Sequence, residues 1–316
     1  MSDSHDLNDL AMYSFAHTIL EKLSKSKQTS IGVFRYIWEN PSNKGQRLYR
    51  LFLAMGWQMY KRTIARPFVV RLDNGQKFVV DPQSANSTGV IYTRIYEPQY
   101  IMFLREQLNQ LSAGTIIDVG AHVGLFSLLL AHLCRDGIAF EPASDNFRFL
   151  ERNLELNRLS SFHAVEAAVS DEGGEKVFEI TGSFSGTNRM KDQAFSRDHA
   201  VHNTVTVKSL TLDDYVSTTP LSSPLRFVKI DTEGHEIQVL KGAVELLRSS
   251  PEAIALVENS DFAGINSFFT ELDWRICTVD KQGNLVTAKE GVSQAYNLIA
   301  CGPKHPLWTR LNSYTN

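Results

Sequence analysis

The sequence predicts an α/β fold with a mostly parallel sheet and helices on both faces, and three observations support this prediction. Residues 115–117 form a short, β-branched apolar run that is typical of a buried parallel strand. A glycine-containing turn follows and leads into an apolar, helix-like segment over residues 125–133. A second apolar run, residues 138–140, then ends in Glu141. Strand, turn, helix and strand in this order are typical of a βαβ unit.

Residues 1–66 predict a helical N-terminal extension. Near the start, apolar residues recur every three to five positions, as on one face of a helix: Leu7, Leu10, Phe15, Ile19 and Leu23. Residues 22–30 are rich in lysine and serine and are typical of a loop, and Pro41 offers a second break. Segment 44–66 has six Lys or Arg and no Asp or Glu, which is typical of a basic amphipathic helix. Such a helix packs as a capping or oligomer element or, less often, lies on an anionic membrane, and the sequence leaves both open.

Residues 67–316 predict the α/β domain, with a β-hairpin at its beginning. Strands over 68–72 and 77–80 flank a turn at Gly75, and a helix over 88–111 is broken near Glu97. Five further strands would complete a seven-stranded sheet: residues 162–165, 225–230, 254–257, 276–279 and 295–300. The connecting helices are predicted over residues 144–157, 237–247 and from 268 to 272.

An insertion is predicted between the third and fourth sheet strands. Residues 176–180 and 204–207 have the pattern of a two-stranded hairpin. The polar loop between them, residues 182–197, is long enough to act as a lid or as a wall of a substrate site.

The turn from Asp118 to Gly124 indicates which nucleotide ligand the fold would bind. Glycines at 120 and 124 let a ligand approach the backbone, and Glu141 stands where Rossmann-type sites bind ribose hydroxyls. The middle glycine of the dinucleotide pattern is missing, and Asp118 would repel a pyrophosphate but attract a cation. S-adenosylmethionine has a sulfonium and an ammonium group and no phosphate. It is therefore the predicted cofactor, with S-adenosylhomocysteine as its product.

Carboxylates stand at the ends of four predicted parallel strands: Asp118, Glu141, Asp231 and Glu258. Ligands in open α/β sheets bind beyond the carboxyl ends of the strands, so these residues are expected to line one polar cleft. Glu258 taken alone is less informative, because a glutamate at a sheet edge is usually solvated.

The segment KIDTEGHE, residues 229–236, is the densest group of ionisable residues. Asp231 is expected to face the methionine part of the cofactor or the acceptor. Glu233 and His235 are expected to bind an acceptor hydroxyl or take its proton. A helix-capping or packing role for His235 is an equal alternative. A divalent metal held by Asp231, Glu233 and Glu236 is less favoured, because Asp231 would have to reach it from the strand.

Eight motifs over roughly residues 90–260 resemble the FkbM family of S-adenosylmethionine-dependent methyltransferases. They are YEP at 96–98, DVGAHVG at 118–124, EP at 141–142, NLELN at 153–157, AVSD at 168–171, TLDDY at 211–215, KIDTEGHE, and LKGA at 240–243. The resemblance implies a Rossmann-like class I methyltransferase fold. It also implies O-methylation of a hydroxyl on a sugar, a glycan or a secondary metabolite.

By this resemblance, ten residues would hold the cofactor and three would act in the transfer. The cofactor residues would be Glu97, Asp118, Gly120, Ala121, His122, Gly124, Glu141, Pro142, Ala168 and Asp231. The catalytic residues would be Asp231, Glu233 and His235. The chain departs from the family pattern at His122, where many relatives have Asn, and at Phe184, which interrupts a serine doublet. The segment before residue 66 lies outside the resemblance.

Composition and charge exclude other classes. The formal charge of −3 gives no reason to expect a nucleic-acid partner. Cys134, Cys277 and Cys301 are too few and too far apart for a metal cluster or a disulfide framework, which favours a reducing cytoplasm. The acidic N-terminus does not have the pattern of a signal peptide, and the longest apolar stretch, twelve residues over 123–134, is too short to span a membrane.

These observations predict a cytoplasmic enzyme that methylates a small-molecule or saccharide acceptor. Methylation of a nitrogen or a carboxylate, and a non-catalytic nucleotide-binding module of the same fold, are the alternatives. The sequence does not decide whether the chain forms a homo-oligomer.

Overall fold

A computed structural model describes residues 27–182, 185–191, 201–287 and 292–315. The helical face predicted over residues 7–23, the departure at Phe184 and residues 192–197 of the predicted lid lie outside these ranges. The chain forms two compact units. Within the described ranges, the first unit comprises residues 27–70 and 80–98, and the second comprises residues 71–79 and those from 99 onward.

The first unit is helical. Its helices are α1 (Lys27–Glu39), α2 (Arg47–Thr63) and α3 (Ala85–Thr93), with a 3-10 turn at Pro41–Asn43. The loop predicted over residues 22–30 is wrong from residue 27 onward, where α1 has already begun. Helix α2 lies within the predicted segment 44–66, and Trp57 on its buried side donates a hydrogen bond of 3.0 Å from Nε1 to Thr88 Oγ1 of α3.

Strands β1 (Phe68–Arg71) and β2 (Lys77–Val80) form the predicted hairpin as a two-stranded sheet. Gly75 at its turn has a φ of 85°, a left-handed conformation that glycine adopts without steric cost. The division between the two units runs through this hairpin. The domain boundary expected between residues 66 and 67 stays a prediction.

The second unit contains an eight-stranded main sheet and a smaller four-stranded sheet. Its strands are β3 (Thr115–Val119), β4 (Asp136–Phe140), β5 (Phe162–Val165), β6 (Ala168–Val169), β7 (Gly174–Ile180), β8 (Arg189–Met190), β9 (Asn203–Leu210), β10 (Leu225–Ile230), β11 (Ile254–Glu258), β12 (Arg275–Val279), β13 (Leu285–Val286) and β14 (Asn297–Cys301).

The main sheet has the order β13-β12-β14-β11-β10-β3-β4-β5. The five strands from β11 to β5 are parallel to one another, whereas β14 runs antiparallel to β11 and to β12. Seven of these strands are the seven predicted from the sequence, and the eighth is the two-residue edge strand β13. The result is the predicted Rossmann-like, mostly parallel α/β architecture.

Eight helices follow within the described part of the second unit. They are α4 (Pro98–Leu108), α5 (Leu125–Leu130), α6 (Ser144–Leu156), α7 (Leu212–Thr218), α8 (Glu236–Lys241), α9 (Val244–Arg248), α10 (Phe262–Glu271) and α11 (Pro306–Thr315). The single helix predicted over residues 237–247 is in fact two helices separated at Gly242. A Cβ on Gly242 would lie 2.0 Å from the Ser170 carbonyl oxygen, so the main chain approaches a neighbouring segment there.

Every residue of β3, β10 and β11 is buried, which explains why these strands are near-continuous apolar runs in the sequence. The predicted insertion lies in the smaller sheet, of order β6-β9-β7-β8, in which β7 pairs antiparallel with β9, as the predicted hairpin, and with β8. Within the ranges the structure describes, none of the helices combines the length and the apolar character needed to cross a membrane.

Candidate active site

A pocket lies at the carboxyl ends of β3, β4 and β10, beside the smaller sheet. Eight of the predicted site residues line it: Gly120, His122, Glu141, Pro142, Ala168, Asp231, Glu233 and His235. Asp118, Ala121 and Gly124 are not among the described residues that line it. Glu97 belongs to the first unit, and its role in cofactor binding stays a prediction.

The turn after β3 brings two strand ends close together. Gly120 has a φ of 74°, and a Cβ at this position would lie 1.9 Å from the main-chain oxygen of Asp231. The amides of Gly120 and Ala121 both donate to the carbonyl oxygen of Phe140, over 3.1 and 2.9 Å. Glycine at 120 is therefore required by the close approach of β3 and β10 at the pocket.

Gly124 fills a different structural need. It precedes α5 with a φ of 81°, and a Cβ there would lie 2.6 Å from Cδ1 of Leu150 in α6. This glycine allows α5 and α6 to pack closely, and its predicted contact with the cofactor stays a prediction.

His122 has a φ of 53°, the left-handed conformation that few non-glycine residues adopt. Asn, Asp and His are the residues most enriched there, which gives a physical reason for His at a position where many relatives have Asn. The main-chain N–H of His122 donates to Glu141 Oε2 over 2.9 Å. The backbone conformation at residue 122 thus aims an amide at the carboxylate.

Glu141 lies at the end of β4, lines the pocket and is almost fully buried. Its other oxygen, Oε1, accepts hydrogen bonds from the amide of Ala143 (3.0 Å) and from Asn146 Nδ2 (3.2 Å). Burial raises the pKa of Glu141 from its ordinary 4.5 to about 7, although these three donors favour the ionised form. Each carboxylate oxygen can accept more than one hydrogen bond, so the group can still receive ribose hydroxyls.

Asn146 is a pocket residue that the sequence analysis did not single out. It is buried on α6, and its Nδ2 donates to Glu141 Oε1 and, over 3.3 Å, to the carbonyl oxygen of Ser185. Its Oδ1 is buried and accepts no hydrogen bond from the residues described here. A buried amide oxygen of this kind is suited to a ligand donor. The only sequence signal was its place in the first turn of the helix after Glu141.

Asp118 interacts with the protein's own groups. Its Oδ2 accepts hydrogen bonds from the amide (3.2 Å) and the hydroxyl (2.7 Å) of Ser127. Lys229 Nζ lies 4.0 Å from Asp118 Oδ1 and donates to Asp231 Oδ2 over 2.9 Å. Burial raises the pKa of Asp118, and Lys229 opposes that rise. The cation that Asp118 attracts in this structure is therefore Lys229, and a direct contact with the cofactor stays a prediction.

The loop after β10 is held together by Glu236. This wholly buried carboxylate accepts hydrogen bonds at Oε1 from the amide and hydroxyl of Thr232 (2.8 and 2.9 Å) and from the amide of Gly234 (3.2 Å). Its Oε2 accepts one from the hydroxyl of Ser260. Both oxygens of Glu236 thus shape the loop, in which Glu233 has a φ of 56°.

A different glutamate completes the group of acids that lie near one another. Carboxylate oxygens of Asp231, Glu233 and Glu258 all lie within 4.8 Å of one another, a spacing that a divalent cation could occupy. Glu258 therefore takes the place expected for Glu236 in a metal set. It is 1% exposed, so the alternative of a solvated edge glutamate is wrong. Of the four carboxylates expected to line one cleft, Glu141 and Asp231 line the pocket, whereas Asp118 and Glu258 are not among its lining residues.

His235 stands at the N-cap position of α8, but its side chain makes no capping hydrogen bond there. It also lines the pocket although it is itself buried, and its role as a base stays a prediction. Its Nε2 lies 2.9 Å from the hydroxyl oxygen of Ser170, which in turn donates to Asp171 Oδ1 over 2.9 Å. The imidazole is thus held in one orientation at the wall of the pocket.

The Asp, Glu, Lys and Arg residues that line the pocket are all acidic, and one of them, Asp231, is paired with Lys229, which is not in the lining. Glu141, Asp231 and Glu233 line it, and among its described lining residues there is neither Lys nor Arg. A phosphate would find no cationic side chain in this lining. A ligand with positive charge and hydroxyl groups would find carboxylates.

The sequence model of one family, described as the methyltransferase FkbM domain, matches residues 118–276, just over half of the 316 residues. Methyltransferase 1 of Beauveria bassiana is 28% identical over 142 residues, which cover 40% of this chain and 57% of that protein. The hexuronic acid methyltransferase AglP of Haloferax volcanii is 27% identical over 154 residues, 48% of this chain and 59% of that protein.

A third relative, the 31-O-demethyl-FK506 methyltransferase FkbM of Streptomyces tacrolimicus, is 33% identical over 108 residues, 33% of this chain and 39% of that protein. In all three cases the match spans less than two thirds of the relative. Among solved structures, a SAM-dependent methyltransferase from Agrobacterium tumefaciens aligns with 75% of this chain and 70% of its own, at 9% identity and a TM-score of 0.42.

Proposed function

Because the chain belongs to the FkbM methyltransferase domain family, as the match over residues 118–276 shows, we propose that it is an S-adenosylmethionine-dependent O-methyltransferase. Its acceptor would be a hydroxyl group of a sugar, a glycan or a secondary metabolite. S-adenosylhomocysteine would be the second product.

The observation that carries this proposal is that the Asp, Glu, Lys and Arg residues lining the pocket are all acidic. Three carboxylates line it, and its described lining has no cationic side chain. Dinucleotides and nucleoside phosphates require positive charge or a helix N-terminus for their phosphates. S-adenosylmethionine has two positive groups and a ribose diol, so the residues present fit it better.

Each pocket residue has a distinct proposed task. Glu141 accepts hydrogen bonds from the ribose hydroxyls, and the buried Oδ1 of Asn146 accepts one from a further donor of the adenosine part. Asp231 and Glu233 attract the positively charged groups of the cofactor at the carboxyl end of β10. The apolar side chains of Phe178 and Met190 from the smaller sheet exclude water from one wall.

When bound, the cofactor supplies an electrophilic methyl group on sulfur, and no covalent enzyme intermediate is needed. The acceptor oxygen would take this methyl group as its bond to sulfur breaks, and the hydroxyl proton would have to go to a base. His235 is the proposed proton acceptor, because its imidazole lines the pocket and is held by Ser170. A positioned base typically contributes about 10²–10⁴-fold to such a step.

The choice of a hydroxyl acceptor is supported by the name of one relative, the 31-O-demethyl-FK506 methyltransferase, which refers to an oxygen of FK506. A second relative is named for a hexuronic acid, which has both hydroxyl groups and a carboxyl group and therefore supports only a saccharide acceptor. The acidic pocket agrees with this choice, because it contains groups that can accept a hydroxyl's hydrogen bond.

Calorimetric titration of the purified chain with S-adenosylhomocysteine, with NAD as the control ligand, tests the proposal. We expect S-adenosylhomocysteine to bind with a Kd on the order of micromolar, about −8 kcal/mol, and NAD not to bind. The Glu141→Gln variant should bind more weakly, whereas Glu151→Gln, at an exposed position of the following helix α6, should bind as the natural chain does. Binding of NAD in preference to S-adenosylhomocysteine would overturn the assignment.

A further inference from the structure

Exposed apolar side chains are concentrated in the first unit. Across the described ranges, large hydrophobic side chains are exposed at ten positions, and six of these lie between residues 36 and 69. They are Tyr36, Tyr49, Phe52, Met59, Ile64 and Val69. Exposed apolar residues that are scattered singly need no explanation, but a concentration of this kind marks an interaction surface.

Helix α2 places three of these residues in one line. Tyr49, Phe52 and Met59 recur with Gly56 and Thr63 at alternating intervals of three and four, so they share one helix face about 20 Å long. All five positions are exposed, and Phe52 and Met59 are 65% and 60% accessible. We call these five positions the α2 stripe. It contains no charged residue, which is unusual for the solvent side of a helix.

The opposite side of α2 is the packed one. Arg50, Leu51, Ala54 and Trp57 are buried there. The helix therefore has apolar residues on its exposed side as well as on its packed side. Burial and the nearby Arg94 lower the pKa of Arg50, and burial together with Arg62 lowers that of Lys61.

Positive charge surrounds the α2 stripe. The described part of the first unit has nine Lys or Arg against three Asp or Glu, a formal charge of +6, although the whole chain has −3. Lys44 before the helix and Arg62 and Arg66 at its other end are exposed, and no acidic residue occurs between residues 44 and 66. Both ends of the apolar stripe are therefore basic.

We propose that the α2 stripe docks the chain onto the surface of an anionic lipid bilayer. The aromatic and aliphatic side chains of the stripe would enter the boundary between headgroups and acyl chains. The basic residues at both ends would contact acidic headgroups, as in helices that lie in the membrane interface. This inference does not depend on the proposed methyl transfer.

A second copy of the chain is the less favourable occupant. In a two-fold dimer through α2, the stripe of one protomer would face the same stripe of its partner. Since both ends of the stripe are basic and residues 44–66 contain no acid, parallel and antiparallel pairing would each bring like charges together. An anionic bilayer instead supplies negative charge on a continuous surface.

Co-sedimentation of the full chain with vesicles tests this inference. One set of vesicles is phosphatidylcholine alone, and the other is phosphatidylcholine and phosphatidylglycerol in a three-to-one ratio. We expect binding to the anionic vesicles and much weaker binding to the neutral ones, with salt reducing the difference. Removing two exposed basic residues in Lys44→Gln/Arg66→Gln should weaken binding roughly 25-fold, since each contributes about a fivefold effect.

Matched variants distinguish the effect of the α2 stripe from the effect of exposed apolar residues elsewhere. Phe52→Ser/Met59→Ser should weaken vesicle binding by about tenfold or more. Met102→Ser/Val177→Ser removes two similarly exposed apolar side chains elsewhere and should leave it unchanged. Lys208→Gln/Lys304→Gln is the matched control for Lys44→Gln/Arg66→Gln, because it makes the same charge change at exposed positions outside the first unit. Thermal unfolding of each variant confirms that it is folded.

Three results would overturn the inference. The first is equal binding of the natural chain and Phe52→Ser/Met59→Ser to anionic vesicles, and the second is no binding by either. The third is a dimer in analytical ultracentrifugation that Phe52→Ser/Met59→Ser converts to a monomer, which would assign the stripe to a second copy.

Discussion

The main-chain N–H of His122 donates to Oε2 of Glu141 over 2.9 Å, and His122 does so from a left-handed conformation with a φ of 53°. This hydrogen bond joins the turn after β3 to the end of β4, the two elements that bound the proposed ribose site. It also partly compensates a carboxylate whose burial raises its pKa to about 7. The left-handed conformation of His122 therefore places an amide where it stabilises the ionised form of Glu141.

The raised pKa of Glu141 predicts how stability changes with pH. Below its ordinary value of 4.5, the group is protonated in both the folded and the unfolded chain and has no effect. Between 4.5 and about 7 the unfolded chain loses the proton and the folded chain keeps it, so stability falls as pH rises. Above about 7 the full cost, roughly 3 kcal/mol, is present.

Urea unfolding of the natural chain and of Glu141→Gln at pH 5 and pH 8 measures this effect. The natural chain should lose stability relative to the neutral variant between the two pH values, because only its carboxyl ionises. A constant difference between the two proteins would show that burial does not perturb this group. The exposed Glu151→Gln serves as the control substitution.

Cofactor affinity should change with pH in the opposite sense. Ribose hydroxyls donate to a carboxylate better than to a carboxylic acid, so binding favours the ionised form of Glu141. We expect the Kd for S-adenosylhomocysteine to fall as pH rises from 6 to 8, by up to about tenfold per unit below pH 7. Calorimetry in buffers of different ionisation enthalpy should detect proton release at pH 6.5, and Glu141→Gln should release none.

The conformation of His122 predicts which substitutions the turn accepts. His122→Asn and His122→Gly should leave stability nearly unchanged, because both residues adopt a positive φ readily. His122→Val should cost about 1–3 kcal/mol, since a β-branched side chain is strained there. His163→Val, at an exposed position of β5, is the matched control and should be tolerated. Equal costs for the two valine variants would contradict the backbone explanation.

The sheet and the position of the site could be predicted from the sequence, because buried parallel strands are short apolar runs and ligands bind at their carboxyl ends. The direction in which each carboxylate side chain points could not be predicted in this way. Lys229 lies directly beside Asp118 in the register of β10 on β3, a relation between distant residues that only the folded sheet establishes. For that reason the partner of Asp118 was expected to be a ligand, and it is a lysine.

Other differences come from long-range contacts of the same kind. The break at Gly242 depends on the approach of the Ser170 carbonyl, and the burial of Glu258 depends on the segments packed around β11. The start of α1 at Lys27 was missed because lysine and serine residues give no apolar period, although the helix they begin is continuous to Glu39. Local pattern alone does not contain these facts.

Gly120 and Gly75 offer a matched test of the close approach at the pocket. Both have positive φ values, 74° and 85°, but a Cβ on Gly75 would meet nothing within 4 Å. Gly75→Ala should therefore cost only the conformational strain, about 1–2 kcal/mol. Gly120→Ala adds a clash with the Asp231 carbonyl and should cost more than about 4 kcal/mol or prevent folding. Similar urea midpoints for both variants would mean that β3 and β10 can separate without cost.

His235 is predicted to act on turnover and not on cofactor affinity. If its imidazole takes the acceptor's proton, His235→Gln should reduce kcat by about 10²–10⁴-fold and leave the Kd for S-adenosylhomocysteine unchanged. The residual activity should also lose the rise with pH that titration of a base produces. His163→Gln, at an exposed position of β5, is the control and should keep full turnover. If His235 only holds the start of α8, the variant should instead lose stability and cofactor affinity together and keep its pH profile. Turnover equal to that of the natural chain with the acceptor saturating would remove His235 from the mechanism.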